Sequence, residues 1–152
     1  MIDGSQSRRR IGAIALLGAV AWLVSAGAAA ACLPEFKDGW IRLPAPGGMG
    51  MAAGFGSFHN GCKQPVRVTS VSSSAFADVS LHETTLVDGV SRMRAVPALV
   101  LPPGGAVTLA PGGLHLMLMD PGKPVQAGQS VPVRFVLDDG QKIQGALQVR
   151  TP

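Results

Sequence analysis

The side chains of this 152-residue chain best suited to chemistry carry sulfur and imidazole. It has 3 His and 6 Met, and His82, Met93, His115, Met117 and Met119 all lie in its second half. The segment Leu114-His115-Leu116-Met117-Leu118-Met119 alternates residue by residue. As a β-strand it sends the three leucines to one face and His115, Met117 and Met119 to the other. One face suits a core, and the other is a row of donor atoms of the kind that binds a soft metal ion. Packing is the competing account, because methionine commonly fills apolar gaps.

A second imidazole and thioether pair lies upstream. Asp88-Gly89 between two strand-like runs is a two-residue hairpin signal, pairing Val87 with Val90, Thr84 with Met93 and His82 with Ala95. In that register His82 and Met93 share a face as diagonal neighbours about 7 Å apart. Should the hairpin pack beside the Leu114 to Met119 strand, the two pairs converge. Other chemistry is poorly supplied: no serine sits in a G-x-S-x-G turn, and phosphate loops and dinucleotide fingerprints are absent. No general base and nucleophile pair is visible, so an enzyme is the least supported reading.

The elements that must hold these residues read as strands. Beyond residue 39 the chain is a series of short apolar or alternating runs broken by Gly, Pro, Asn and Asp, with no long 3.6-residue periodicity. Strands are expected at 40–43, 51–58, 66–72, 79–87, 90–96, 98–101, 107–110, 114–119, 131–137 and 142–150. Turn signals separate them, among them Asn60-Gly61, Asp88-Gly89, Pro111-Gly112-Gly113 and Asp139-Gly140. Many short strands at this spacing mean an all-β Greek-key sandwich or small barrel.

Residues 1–31 read as a secretory signal peptide. Arg8, Arg9 and Arg10 precede the apolar run Ile11 to Gly27, and Ala28 to Ala31 suit cleavage. An uncleaved membrane anchor is the rival reading, since the uncharged span is near the ~20 residues that cross a bilayer. A lipidated Cys32 is a further option, though Ala29 stands where such signals usually carry Leu. In an oxidising compartment the simplest use of Cys32 and Cys62 is a disulfide, and they lack the C-x-x-C spacing of redox sites.

Composition bounds the rest. A chain 47% hydrophobic and 14% charged has the makings of one folded domain, residues 32–152, and no room for a multidomain enzyme. The net charge of +4 suggests nucleic acid until it is located. Setting aside the three N-terminal arginines and Asp3 leaves 10 Lys+Arg against 8 Asp+Glu, scattered singly and without the clustering that phosphate tracking needs.

His82, Met93, His115 and Met117 together fit H-x10-M-x21-H-x-M, which resembles the signature of the periplasmic copper chaperones of the PCuAC family. Leu81-His82-Glu83 and Gly113 to Leu118 resemble the family's segments around its ligands, and the similarity spans roughly residues 40 to 150. The resemblance implies a cupredoxin-like β fold and a periplasmic, monomeric carrier with Cu(I) held by His82, Met93, His115 and Met117. It further implies delivery to a cuproprotein such as the CuA site of cytochrome c oxidase or to a thiol-bearing copper chaperone, or instead the role of a general periplasmic copper-buffering protein. The Cys32 and Cys62 pair stands outside the family's metal motif.

These ligand types suit that task. Neutral thioether sulfur is a poor ligand for Zn(II) and a good one for Cu(I), and it resists the oxidation that disables thiolates outside the cytosol. Acid weakens such a site by protonating imidazole. A blue-copper electron-transfer protein shares the expected fold but needs a thiolate, and no cysteine lies near His115 or Met117. A plain β-sandwich interaction module is the third reading. Among subsidiary candidates, Met49, Met51 and Met119 could add thioethers, although packing accounts for them too. His59 reads as an exposed turn residue, Trp40 as an edge contact, and Arg92 and Arg94 as a solvated face or a dock for an acidic partner.

Overall fold

The computed structural model describes residues 32–44 and 50–151. The expected signal or anchor segment, its cleavage site and Met49 lie outside them. Ten strands form, β1 (Glu35–Arg42), β2 (Met51–His59), β3 (Val66–Ser72), β4 (Phe76–Val87), β5 (Val90–Ala95), β6 (Leu99–Leu101), β7 (Ala106–Leu109), β8 (Leu114–Pro121), β9 (Ser130–Leu137) and β10 (Lys142–Arg150). The all-β expectation holds.

The strands bond in the order β5-β4-β8-β2-β1-β10-β9-β3-β6, with β7 joined to β2. Neighbours are antiparallel except β1 and β10, which run parallel. Alternation buries one face of each long strand: in β9, Val131, Val133, Phe135 and Leu137 are all buried while the residues between them are largely outside. Phe36, Phe58 and Phe135 meet at the centre with ring centroids 4.8–4.9 Å apart. Burying aromatic rings in this arrangement contributes packing beyond their area.

The first strand begins five residues earlier than the turn-like Asp38-Gly39 suggests. The pairing of β1 with β2 shifts register between Lys37 and Trp40, and Asp38 takes a positive φ of 53°. The strand therefore absorbs the turn residues as a bulge. Gly39 is required there, because a Cβ would run into the Ala146 carbonyl oxygen. Phe36, ahead of the bulge, reaches the core, and Glu35 and Lys37 stay outside.

Cys32 and Cys62 are joined in a disulfide that ties the segment before β1 to the loop after β2, Cα to Cα 5.7 Å. Asn60 in that loop is fully buried. Its amide donates to the Gln64 and Leu101 carbonyls, both at 3.0 Å, and its oxygen accepts from the Cys62 N–H at 3.0 Å. The residue that marks a turn in the sequence thus also pins the loop to β6.

Candidate metal centre

The hairpin of β4 and β5 forms in the expected register, with His82 opposite Ala95, Thr84 opposite Met93 and Val87 opposite Val90. Both turn residues have positive φ, Asp88 at 51° and Gly89 at 76°, as a two-residue turn that follows the strand twist demands. The hairpin does pack beside β8. His82 lies directly opposite His115, Ser80 opposite Met117 and Asp78 opposite Met119. Cross-strand partners share a face, so His82, His115, Met117 and Met93 all project from one side of three adjacent strands. From the other side Leu116 and Leu118 enter the core, at 1% and 0% exposure.

The His82 and His115 ring centroids are 6.1 Å apart. A metal–imidazole bond of about 2.0 Å places an ion about 3.2 Å from a ring centroid, so two rings sharing one ion can stand up to about 6.4 Å apart. The observed separation falls within that reach without moving the backbone.

Hydrogen bonds set which ring atoms face the space between. Nδ1 of His115 lies 2.9 Å from the Gly113 carbonyl, which can only accept, so Nδ1 carries the proton and Nε2 the lone pair in the neutral ring. That Nε2 lies 3.3 Å from the Met93 sulfur. Two lone-pair donors facing each other in this way frame a place for a soft cation. His82 uses the opposite atom. Its Nε2 lies 3.1 Å from the Ser80 hydroxyl, and its Nδ1 is buried and has no hydrogen-bond partner among the described residues. The Ser80 hydroxyl can donate to that Nε2 or accept from it.

Burial grades across the site. His115 is buried, Met117 and His82 are half-buried, and Met93 on edge strand β5 is 52% exposed. Core packing therefore does not account for Met93. Behind His115 stands an aromatic wall: Phe55 at 6.5 Å from its ring centroid, then Trp40 at 4.5 Å from Phe55. Arg42 covers Phe55 and Arg150 covers Trp40, at 5.5 and 5.1 Å. Trp40 is thus part of this wall, beyond the edge contact expected of it.

Several expected candidates fall elsewhere. His59 is exposed at the end of β2, and Arg94 is paired with Glu83 on the opposite face of the hairpin from Met93. Among the described residues no three His, Cys, Asp or Glu side chains gather as a metal site, and no free cysteine exists. A blue-copper centre therefore lacks its thiolate. The apolar cleft between β3 and β4, lined by Phe58, Val79, Leu116 and Phe135, carries no titratable group and sits behind the imidazole face. Sequence reasoning missed Ser80 and the Gly113 carbonyl. Each stands two residues before the histidine it holds, which places Ser80 on its histidine's face, and that spacing was the available signal.

The arrangement can be set beside known proteins. The family model described as "Putative lipoprotein LpqE-like" matches residues 35–149. "Putative lipoprotein Lxx21020" of Leifsonia xyli subsp. xyli is 33% identical over 117 residues, covering 76% of this chain and 69% of that protein. The copper-bound PCuAC domain from PmoF2 superposes with a TM-score of 0.63 at 26% identity, covering 78% of this chain and 93% of the domain. The solution structure of CuI-DR1885 from Deinococcus radiodurans does so at 0.60 and 24%, covering 84% and 83%, a likeness of fold. On the strength of the family match and of a curated relative a third identical, the chain belongs to the LpqE-like family and has the fold of a PCuAC domain.

Proposed function

We propose that this protein is a non-enzymatic carrier of Cu(I) that works outside the cytoplasm. It holds one ion between the His82 imidazole, Nε2 of His115 and the sulfurs of Met93 and Met117. One observation carries this reading. His82 stands directly opposite His115 on one sheet face with ring centroids 6.1 Å apart, and the His115 Nε2 that Gly113 leaves without a proton lies 3.3 Å from the Met93 sulfur. Four neutral, soft or borderline donors select Cu(I) over Zn(II) and over hard cations. The copper-bound PmoF2 domain supports the choice of metal.

Cargo is passed on by ligand exchange. An acceptor with a thiolate or a richer ligand set displaces the donors one at a time, beginning at the exposed Met93. The acceptor is a cuproprotein, either an oxidase subunit with a CuA site or a thiol-bearing copper chaperone. The Cys32–Cys62 disulfide supports an oxidising, extracytoplasmic setting. The lipoprotein names of the family and of the Leifsonia relative support export as well. Lipidation of Cys32 and this disulfide exclude each other, because both consume the same sulfur, and intact mass of the exported protein distinguishes them.

The test is an anaerobic Cu(I) titration against a chromogenic chelator, run on the native protein and on a variant with His115→Ala and Met117→Ala. Tight one-to-one binding that disappears in the still-folded variant is the expected result. Equal, weak binding by both sinks the carrier reading and leaves an interaction module.

A further inference from the structure

The face that carries the histidines continues past Met117, and its next members are also thioethers. Met119 stands directly opposite Met51 across β8 and β2, as Met117 stands opposite Ala53. Beyond this pair, Asp120 donates its N–H to the Gly50 carbonyl at 2.9 Å. Narrow and wide pairs alternate along an antiparallel ladder, so Met51 and Met119 form a non-hydrogen-bonded pair, with Cα atoms about 4.5 Å apart and side chains at their closest. Two sulfurs on flexible stems at that spacing can grip one ion between them.

The pair is neither core nor isolated. Met51 is 39% exposed and Met119 half-buried, so filling an apolar interior does not explain them. Met51 lines a surface groove whose other walls include Ala53, His115 and Met117, and which Arg42 borders. Two residues of strand separate Met119 from Met117, about 7 Å along the chain. Ala53 puts a small side chain opposite Met117. Among the described residues, Met51 shares the groove with His115 and Met117, and Met119 stands beside Met51 with Asp78 of β4 on its other side.

We propose that Met51 and Met119 form a second Cu(I) site built on two thioethers, weaker than the histidine centre, through which the ion enters that centre along the groove, while the acceptor withdraws it from the Met93 side. Two thioethers hold Cu(I) less firmly than two imidazoles and two thioethers together. The ion stays Cu(I) throughout, and each step exchanges one sulfur–copper or nitrogen–copper bond for another. This proposal rests on the Cu(I) carrier reading above.

The experiment uses the purified protein and three variants: Met51→Leu with Met119→Leu, His115→Ala with Met117→Ala, and all four changes together. Leucine nearly conserves volume and removes the donor sulfur, so folding is preserved and is checked by circular dichroism. Anaerobic Cu(I) titration gives stoichiometry, and stopped-flow transfer from a Cu(I)–chelator complex gives the loading rate. The native protein is expected to bind one tight and one weaker equivalent. The leucine variant is expected to keep the tight equivalent, lose the weaker one and load the tight site several-fold more slowly. A native protein that binds a single equivalent, or a leucine variant with either the weaker equivalent or the loading rate unchanged, overturns the second site. Loss of the weaker equivalent alone in the leucine variant and of the tight one alone in the alanine variant supports both assignments. A tight equivalent that persists in the alanine variant instead refutes the histidine centre.

Discussion

Ser80 is the residue whose removal most directly tests how His82 is prepared for a metal. Its hydroxyl is the hydrogen-bond partner of the ring, at 3.1 Å from Nε2, while Nδ1 has none. Ser80→Ala removes the hydrogen bond that holds the His82 ring among the described residues, so neither the ring's orientation nor its tautomer is set by that contact any longer. A neutral hydrogen bond is worth about 0.5–1.5 kcal/mol net. Losing an outer partner of a metal-binding histidine costs about 10- to 100-fold in affinity. Because His115 keeps its own 2.9 Å bond to Gly113, the lower end applies: a loss of about tenfold in Cu(I) affinity, or ~1.4 kcal/mol. Ser80→Thr keeps the hydroxyl on a residue that suits a strand and should restore the native value. Chelator competition measures the affinity, and long-range ¹⁵N–¹H correlation spectra of the apo-protein report which imidazole nitrogen carries the proton. Unchanged affinity together with an unchanged His82 tautomer in Ser80→Ala would refute the reasoning, because the serine would then position nothing.

Three further outcomes follow from parts of the fold remote from the metal centre. Replacing Cys32 and Cys62 by Ser opens a loop with a sequence separation of 30. By chain-entropy arithmetic this should cost about 3.5–4 kcal/mol in urea unfolding, with Cu(I) affinity intact. Gly39→Ala pushes a methyl group into the Ala146 carbonyl at the β1 bulge and should abolish folding or lower the midpoint by several degrees, which a thermal melt reads directly. Asp139 has its carboxyl held below the ordinary carboxylate range, chiefly by the Gln141 backbone N–H and then by the Gln141 side chain. Its contribution is therefore present above the unfolded value and lost as pH falls through the lower folded value. Asp139→Asn should accordingly melt below the native protein near neutral pH, and the gap should close in strong acid.

The shared face of imidazoles and thioethers was legible because its signals are local. Strict alternation from Leu114 to Met119 fixes which side chains oppose the core, and Asp88-Gly89 fixes the hairpin register to the residue. What local signals do not contain is which strand lies beside which. That His82 falls opposite His115, when any even shift along β8 would also keep the faces, depends on packing across the whole sheet. The same limit hid Phe55, which reaches His115, and Trp40 behind it, because they are brought there only by β2 and β1 following β8 in spatial order. The early start of β1 was hidden for a different reason. Asp38-Gly39 carries the chemistry of a turn, and only the close passage of Ala146 makes it a bulge.

On the carrier reading proposed above, binding and release make opposite demands, and the strand order meets them in different places. The histidines sit on β4 and β8, each paired on both sides, and their rings are held by hydrogen bonds to Ser80 and Gly113. Met93 sits on β5, paired on one side only, in a strand whose six residues are all exposed. An acceptor approaching from solvent therefore meets the thioether before either imidazole. Leu86 lies on the same face of the hairpin and is 76% exposed, giving that approach an apolar floor. The donor that is easiest to displace is thus the one that an incoming ligand reaches first. Replacing Met93 by Leu should weaken Cu(I) binding less than replacing His115 by Ala does, yet alter the transfer rate more per unit of lost affinity. Transfer rates that scale with affinity alone across both variants would show that exposure of Met93 plays no part in release.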